Sequence, residues 1–243
     1  MANTYLGNKG YSIYKNSISI KEQNYIKSEL SVKPYVPKSS INTAIEFPVY
    51  RESDQKLYVP RFFGETLYGK PNLVKIKPGL DISLNFTGKL MEFQTPIIDA
   101  YLNKAYSTGG GLLEVGCGCG KTVMALYIIS ALKRKTLVMV HKEFLLEQWV
   151  ERINQFLPNA KIGRMQGQIV DTDDKDIVIG MIQSLSKKTY PQSILDEFGL
   201  TIIDETHHIA AEVFSNSLFQ IVTPYMLGLS ATMNRKDGLS KVF

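Results

Sequence analysis

The sequence predicts an α/β fold, a parallel sheet between layers of helices, with a small β-rich module ahead of it. Three observations carry this. Short runs that are apolar on both faces, Leu112–Val115, Thr136–His141, Ile177–Ile182, Leu200–Asp204 and Met226–Leu229, alternate with helical segments. Strands of a sheet covered on both sides read this way. A glycine-rich turn, Gly116–Gly120, follows the first run and leads into a helix at Lys121. Before these runs, the apolar stretches are brief and broken by proline.

Taken in order, residues 1–45 are polar with scattered tyrosines, and Ser31–Ser40 reads as loop because Pro34 and Pro37 block regular pairing. IEFPVYR from Ile45 and KLYVPRFF from Lys56 read as two strands of a hairpin around Glu52–Gln55. Pro48 and Pro60 assign them to an edge or a bulge. Pro71, Pro78 and Gly79 lead to a boundary expected near residue 85, which divides a module of residues 1–84 from an α/β lobe of 85–243. In that lobe Met91–Tyr106, Lys121–Leu132 and Glu143–Phe156 are expected helices. The last places Leu145, Trp149, Ile153 and Phe156 on one stripe.

The 243 residues are 44% hydrophobic and 21% charged, which excludes a disordered chain. No apolar run approaches the ~20 residues of a membrane span, and the first residues lack the apolar core of a secretory signal. The two cysteines, Cys117 and Cys119, share the glycine turn and are poorly placed for a structural disulfide. A reducing, intracellular setting follows as an expectation, with cytoplasm and nucleus left open. Residues 1–80 hold twelve Lys and Arg against six Asp and Glu, a charge of +6, and eleven of the 25 aromatics. Residues 81–243 hold sixteen against seventeen, a charge of −1. A basic aromatic segment suits a polyanion such as nucleic acid; a β module with its own aromatic core and solubilising lysines accounts for it equally.

Three motifs carry chemistry: Gly118-Cys119-Gly120-Lys121-Thr122, Asp204-Glu205-Thr206-His207-His208, and Ser230-Ala231-Thr232, separated by 83 (204 − 121) and 26 (230 − 204) positions. In the first, glycines let backbone N–H groups wrap an anion at a helix start. Lys121 would neutralise the β- and γ-phosphates and the Thr122 hydroxyl would bind Mg²⁺. Val115 stands where the general pattern has its first glycine. In the second, an apolar strand ends in two acids, where open parallel sheets hold ligands. Asp204 would hold Mg²⁺ and Glu205 would orient and deprotonate the attacking water. The Asp171–Asp176 cluster reads as a solvated loop.

These motifs resemble the ATP-binding half of superfamily-two DExH-box helicases over roughly residues 85–243. That family tolerates a non-glycine at the position of Val115. LGLSATMNRKDGL at 227–239 and VHKEFLLEQW at 140–149 resemble the transcription-repair branch of the xeroderma pigmentosum B type. The IEFPVYR…KLYVPRFFG module is similar to the N-terminal part of poxvirus-type transcript-release helicases of large DNA viruses.

The resemblance implies a RecA-like lobe using ATP and Mg²⁺, with DNA or RNA and transcription machinery as partners and no membrane. By position it implies that Gly118, Cys119, Gly120, Lys121 and Thr122 hold the triphosphate. Asp204 and Glu205 are then the catalytic acids, His207 links the nucleotide to the SAT box, and Ser230, Ala231 and Thr232 couple hydrolysis to movement. Gln94 takes the place of an adenine-reading glutamine, with Met91 where an arginine is common. His141, Lys142, Gln183 and Ser184 would touch the phosphodiester chain. Phe144 and Trp149 are expected in the core, as is Phe93, for which stacking on the base is the alternative. Such helicases use a second lobe carrying arginine fingers. The 243 residues are therefore expected to be the N-terminal half of a longer protein, binding ATP but hydrolysing it weakly. A nucleotide-gated nucleic-acid subunit with little ATPase is the alternative. Another type of phosphate-loop protein, a kinase or transporter ATPase, leaves the SAT box unexplained.

Overall fold

The computed structural model describes residues 2–32, 47–116, 118–204, 216–217 and 219–231. These form two compact units, the described parts of residues 2–76 with 216–222, and of 77–204 with 223–231.

The first unit begins with a hairpin, β1 (Thr4–Gly7) and β2 (Gly10–Tyr14), followed by α1 (Ile20–Glu29) and β3 (Ser31–Val32). Helix α1 is set by a capping box in which Ser19 and Glu22 satisfy each other's backbone N–H groups. Next come β4 (Phe47–Pro48), β5 (Arg51–Glu52), β6 (Lys56–Val59), α2 (Arg61–Tyr68) and β7 (Leu73–Val74). The sheet order is β5-β6-β2-β1-β7, and β3 pairs with β4 separately. The expected hairpin is present as β5 and β6, with Arg51 opposite Tyr58 and Glu52 opposite Leu57. The run KLYVPRFF is not one strand, however. It ends at Val59, and Pro60, which has no N–H to lose, precedes a helix. Leu6, Tyr11, Ile13, Leu57 and Val59 are buried on one side of the sheet. There α2 comes so close that a Cβ on Gly64 would lie 2.3 Å from the Tyr11 ring.

The second unit contains α3 (Gln94–Thr108), β8 (Gly110–Glu114), α4 (Lys121–Leu132), β9 (Thr136–Val140) and α5 (Glu143–Phe156). It continues with β10 (Ile162–Gln166), β11 (Ile169–Asp171), β12 (Ile177–Met181), α6 (Ile182–Lys187), α7 (Gln192–Leu195), β13 (Leu200–Ile203) and β14 (Tyr225–Ser230). Seven strands run in the order β11-β10-β12-β9-β13-β14-β8. All neighbours are parallel except β10 and β11, an antiparallel edge hairpin. The predicted α/β fold is thus the observed one. The central strands are buried on both faces, β9 along its whole length.

The segment ahead of α3 belongs to this unit. Lys135 N–H donates to Leu80 O, Ile82 N–H to Lys133 O and Thr87 N–H to Phe156 O, while Phe86 stacks on Phe156 at 5.6 Å. The division therefore falls between Ile76 and Lys77, ahead of the expected junction. On α5 the buried residues are Leu146, Trp149 and Ile153. Phe144 lies about 200° around the helix from Leu146 and is 55% exposed, contrary to the core placement expected for it.

Candidate functional site

Strand order builds the site. Because β14 lies between β13 and β8, the ends of these strands at Glu114, Ile203 and Ser230 emerge side by side. Ligands of open parallel sheets bind at such an edge.

From Glu114 the chain turns through the glycine loop into α4. Val115 N–H donates to Ser230 O at 3.2 Å, and Cys119 N–H to Gly116 O at 3.3 Å. Gly118 and Gly120 both have φ of 79°, a left-handed conformation that side chains resist. At Gly120 the need is also steric, since a Cβ would lie 2.5 Å from Gln94 Nε2. The Lys121 ammonium donates to Val115 O at 3.1 Å.

Gln94 is 2% exposed and braces this loop. Its Nε2 donates to Cys119 O at 3.0 Å, and its Oε1 accepts from Met91 N–H at 3.0 Å. This geometry gives Gln94 a testable role. Gln94→Ala should weaken ATP and GTP binding alike, by roughly 5- to 100-fold for the removal of a buried hydrogen bond. Titration with fluorescent nucleotides checks this; a loss confined to ATP would mark Gln94 as an adenine reader instead. Phe93, expected in the core, is 44% exposed.

Thr122 and Asp204, 82 positions apart (204 − 122), line one cavity of about 270 Å³ with Gln148, Trp149, Glu151 and Arg152. Asp204 is 7% exposed. Its backbone N–H donates to Met139 O at 3.0 Å, and its Oδ2 accepts from the Trp149 indole N–H at 2.8 Å. Trp149 is core, as expected, but it also holds the acid in place. The sequence signal was its N–H, since a buried indole requires an acceptor.

Ser230 is buried at the end of β14, with Ala231 half-buried after it. Glu205, His207, Thr232 and Cys117 lie outside the described residues. The four expected nucleic-acid positions converge where β9 and β12 end side by side. Gln183 Nε2 donates to His141 O at 2.8 Å, Ser184 Oγ accepts from Gly167 N–H at 3.0 Å, and Lys142 and Gln183 are exposed.

Parallel strand ends bearing a glycine loop, a lysine at a helix start and a buried carboxylate define a phosphate-loop nucleotide-binding unit. Residues 87–235 match the family described as the type III restriction enzyme, res subunit (ResIII), and the chain belongs to that family. A protein of Acanthamoeba polyphaga mimivirus, named as a candidate ATP-dependent RNA helicase, is 37% identical over 242 residues, 96% of this chain and 46% of that protein. The DNA 3'-5' translocase XPB2 of Sulfurisphaera tokodaii is 33% identical over 155 residues, 64% of this chain and 33% of its own length. The chain thus spans less than half of each of these relatives.

Among solved structures, the UvsW helicase from bacteriophage T4 aligns with a TM-score of 0.66 at 13% identity, covering 99% of this chain and 95% of that one. The Sulfolobus solfataricus SWI2/SNF2 ATPase core aligns with a TM-score of 0.56 at 18% identity, covering 69% and 36%. The fold is that of RecA-like helicase cores, and the helicase resemblance read from the motifs holds.

Proposed function

We propose that this chain is the ATP-binding half of an ATP-dependent helicase or translocase acting on nucleic acid. One observation supports this most: Thr122 and Asp204 line one cavity at the strand ends beside the glycine loop. The loop N–H groups and the α4 N-terminus bind phosphate oxygens. Lys121, whose ammonium bonds to Val115 O, is assigned to the β- and γ-phosphates. A hydroxyl and a single carboxylate suit Mg²⁺, which keeps most of its waters and takes the rest of its ligands from phosphates. When bound, Mg²⁺ would neutralise charge that develops during phosphoryl transfer. Trp149 fixes the Asp204 carboxylate, and Glu205, next in sequence, is assigned to the attacking water. Ser230, joined to the loop through its Val115 contact, is assigned to coupling together with Ala231 and Thr232. His141, Lys142, Gln183 and Ser184 are assigned to the phosphodiester backbone. We also assign a reducing, intracellular setting, which suits two cysteines poorly placed for a structural disulfide.

The arginine completing such a site contributes roughly 10³–10⁵ in rate, and we assign it to a lobe outside these 243 residues. Steady-state ATPase with and without single-stranded and duplex nucleic acid tests both statements. The expected result is magnesium-dependent ATP binding with weak turnover. Brisk strand-stimulated hydrolysis by this chain alone would overturn the weak-turnover expectation. Failure to bind ATP would overturn the whole reading.

A further inference from the structure

The first unit's sheet has two unlike faces. Strand pairing places Arg51, Tyr58, Ser12, Tyr5 and Leu73 in one row across it, with Tyr14 and Lys56 in the next row on the same side. Among the described strand residues none on this side is acidic. The opposite side carries the buried apolar residues.

The rings and cations of this side interleave. Lys56 Nζ lies 4.8 Å from the Tyr14 ring and 5.2 Å from the Tyr5 ring. Lys75 approaches Tyr5 at 4.4 Å, and Lys9 approaches Tyr58 at 5.2 Å. The Tyr5 and Tyr14 centroids are 6.0 Å apart. All three tyrosines are half-exposed, and Lys9 and Lys75 are exposed. Phe219 closes one corner beside Arg51 at 5.1 Å.

A tyrosine ring needs only an apolar neighbour to be stable, and solubilising lysines belong in water. Three rings each attended by an ammonium, on a sheet side with no acid among its described strand residues, instead match the needs of a chain alternating flat bases with phosphates. We propose that this face binds single-stranded nucleic acid without sequence preference, with Tyr5 and Tyr14 stacking on bases, Tyr58 extending the track, and Lys9, Lys56 and Lys75 contacting phosphates. A duplex hides its base faces and offers this surface only its backbone. The site lies within the first unit and requires no nucleotide.

The test is fluorescence anisotropy of the whole chain, without ATP, against labelled oligo-dT, oligo-U and a duplex of equal length. Single strands are expected to bind more tightly than duplex, and the dT and U arms tell DNA from RNA. Each ring removed, Tyr5→Ala or Tyr14→Ala, should cost roughly 5- to 150-fold, while Tyr5→Phe and Tyr14→Phe retain binding. Lys56→Glu with Lys75→Glu, solvent-side changes that leave the rings in place, should lower the salt dependence by roughly 0.7 for each phosphate that is no longer neutralised. These charge reversals decide the matter if an alanine variant unfolds. Wild-type affinity in the folded variants, or duplex bound as tightly as single strand, overturns the proposal. Lys121→Ala serves as the control: loss of strand binding in it alone would place the strand at the ATP lobe instead, and ATP binding that survives in the tyrosine variants keeps the two readings apart.

Discussion

Trp149→Phe will leave the α/β unit folded yet weaken its hold on magnesium-bound nucleotide by roughly 10–100-fold, the usual cost of removing a partner that orients a metal-binding side chain. The phenyl ring preserves most of the packing of a residue that is 1% exposed. What it removes is the indole N–H 2.8 Å from Asp204 Oδ2, and a buried carboxylate that loses a donor keeps its desolvation cost. Trp149→Ala adds a cavity and should destabilise by about 3–5 kcal/mol. Titration of a fluorescent ATP analogue at several magnesium concentrations, with thermal melts as the folding control, separates the two effects. Trp149 is also the single tryptophan of the chain, so intrinsic emission of the unaltered protein should change on nucleotide addition. Unchanged magnesium dependence in Trp149→Phe would reduce the contact to packing.

The second large effect is expected from Lys121→Ala, which should lower ATP turnover by roughly 10²–10³-fold, the loss typical of deleting one group that stabilises transition-state charge. The lysine is half-buried, and its ammonium bonds to the Val115 carbonyl within the same loop. Removing it should therefore leave the melting temperature nearly unchanged. Single-turnover hydrolysis compared with nucleotide affinity measures the loss. A folded Lys121→Ala protein hydrolysing at the wild-type rate would rule out the phosphate loop as the reacting site.

Much of this was legible in the chain. Helices α4 and α5 fall on their predicted residues, and β9, β12, β13 and β14 within two residues of theirs. Their signals are local: α5 carries one apolar stripe, α4 opens directly after the glycine turn, and the strands are continuous apolar runs. The misses have physical causes too. Helix α1 has little apolar periodicity and a single buried residue, Ile26, so only the Ser19-x-x-Glu22 cap announced it. The hairpin of β1 and β2 sits among scattered tyrosines, of which Tyr5 and Tyr14 lie on its partly exposed face while Tyr11 is buried on the other. β11 is a three-residue edge strand with every residue exposed, so no burial pattern marks it. Residue type alone points Phe144 and Phe93 toward the core, whereas the helix stripe and the start of α3 leave them outside.

The sequence by itself determined that a glycine loop with its lysine, an acidic strand end and a hydroxyl box occur in that order on an alternating β/α chain, because each is a local property of a few adjacent residues. Only the tertiary structure decided that Thr122 and Asp204 share a cavity, that Trp149 holds the acid and that Gln94 braces the loop. These contacts join residues 25 to 82 positions apart (119 − 94; 204 − 122). Such contacts depend on which strands become neighbours, and strand order follows from how the helices cover the sheet rather than from the composition of any one segment.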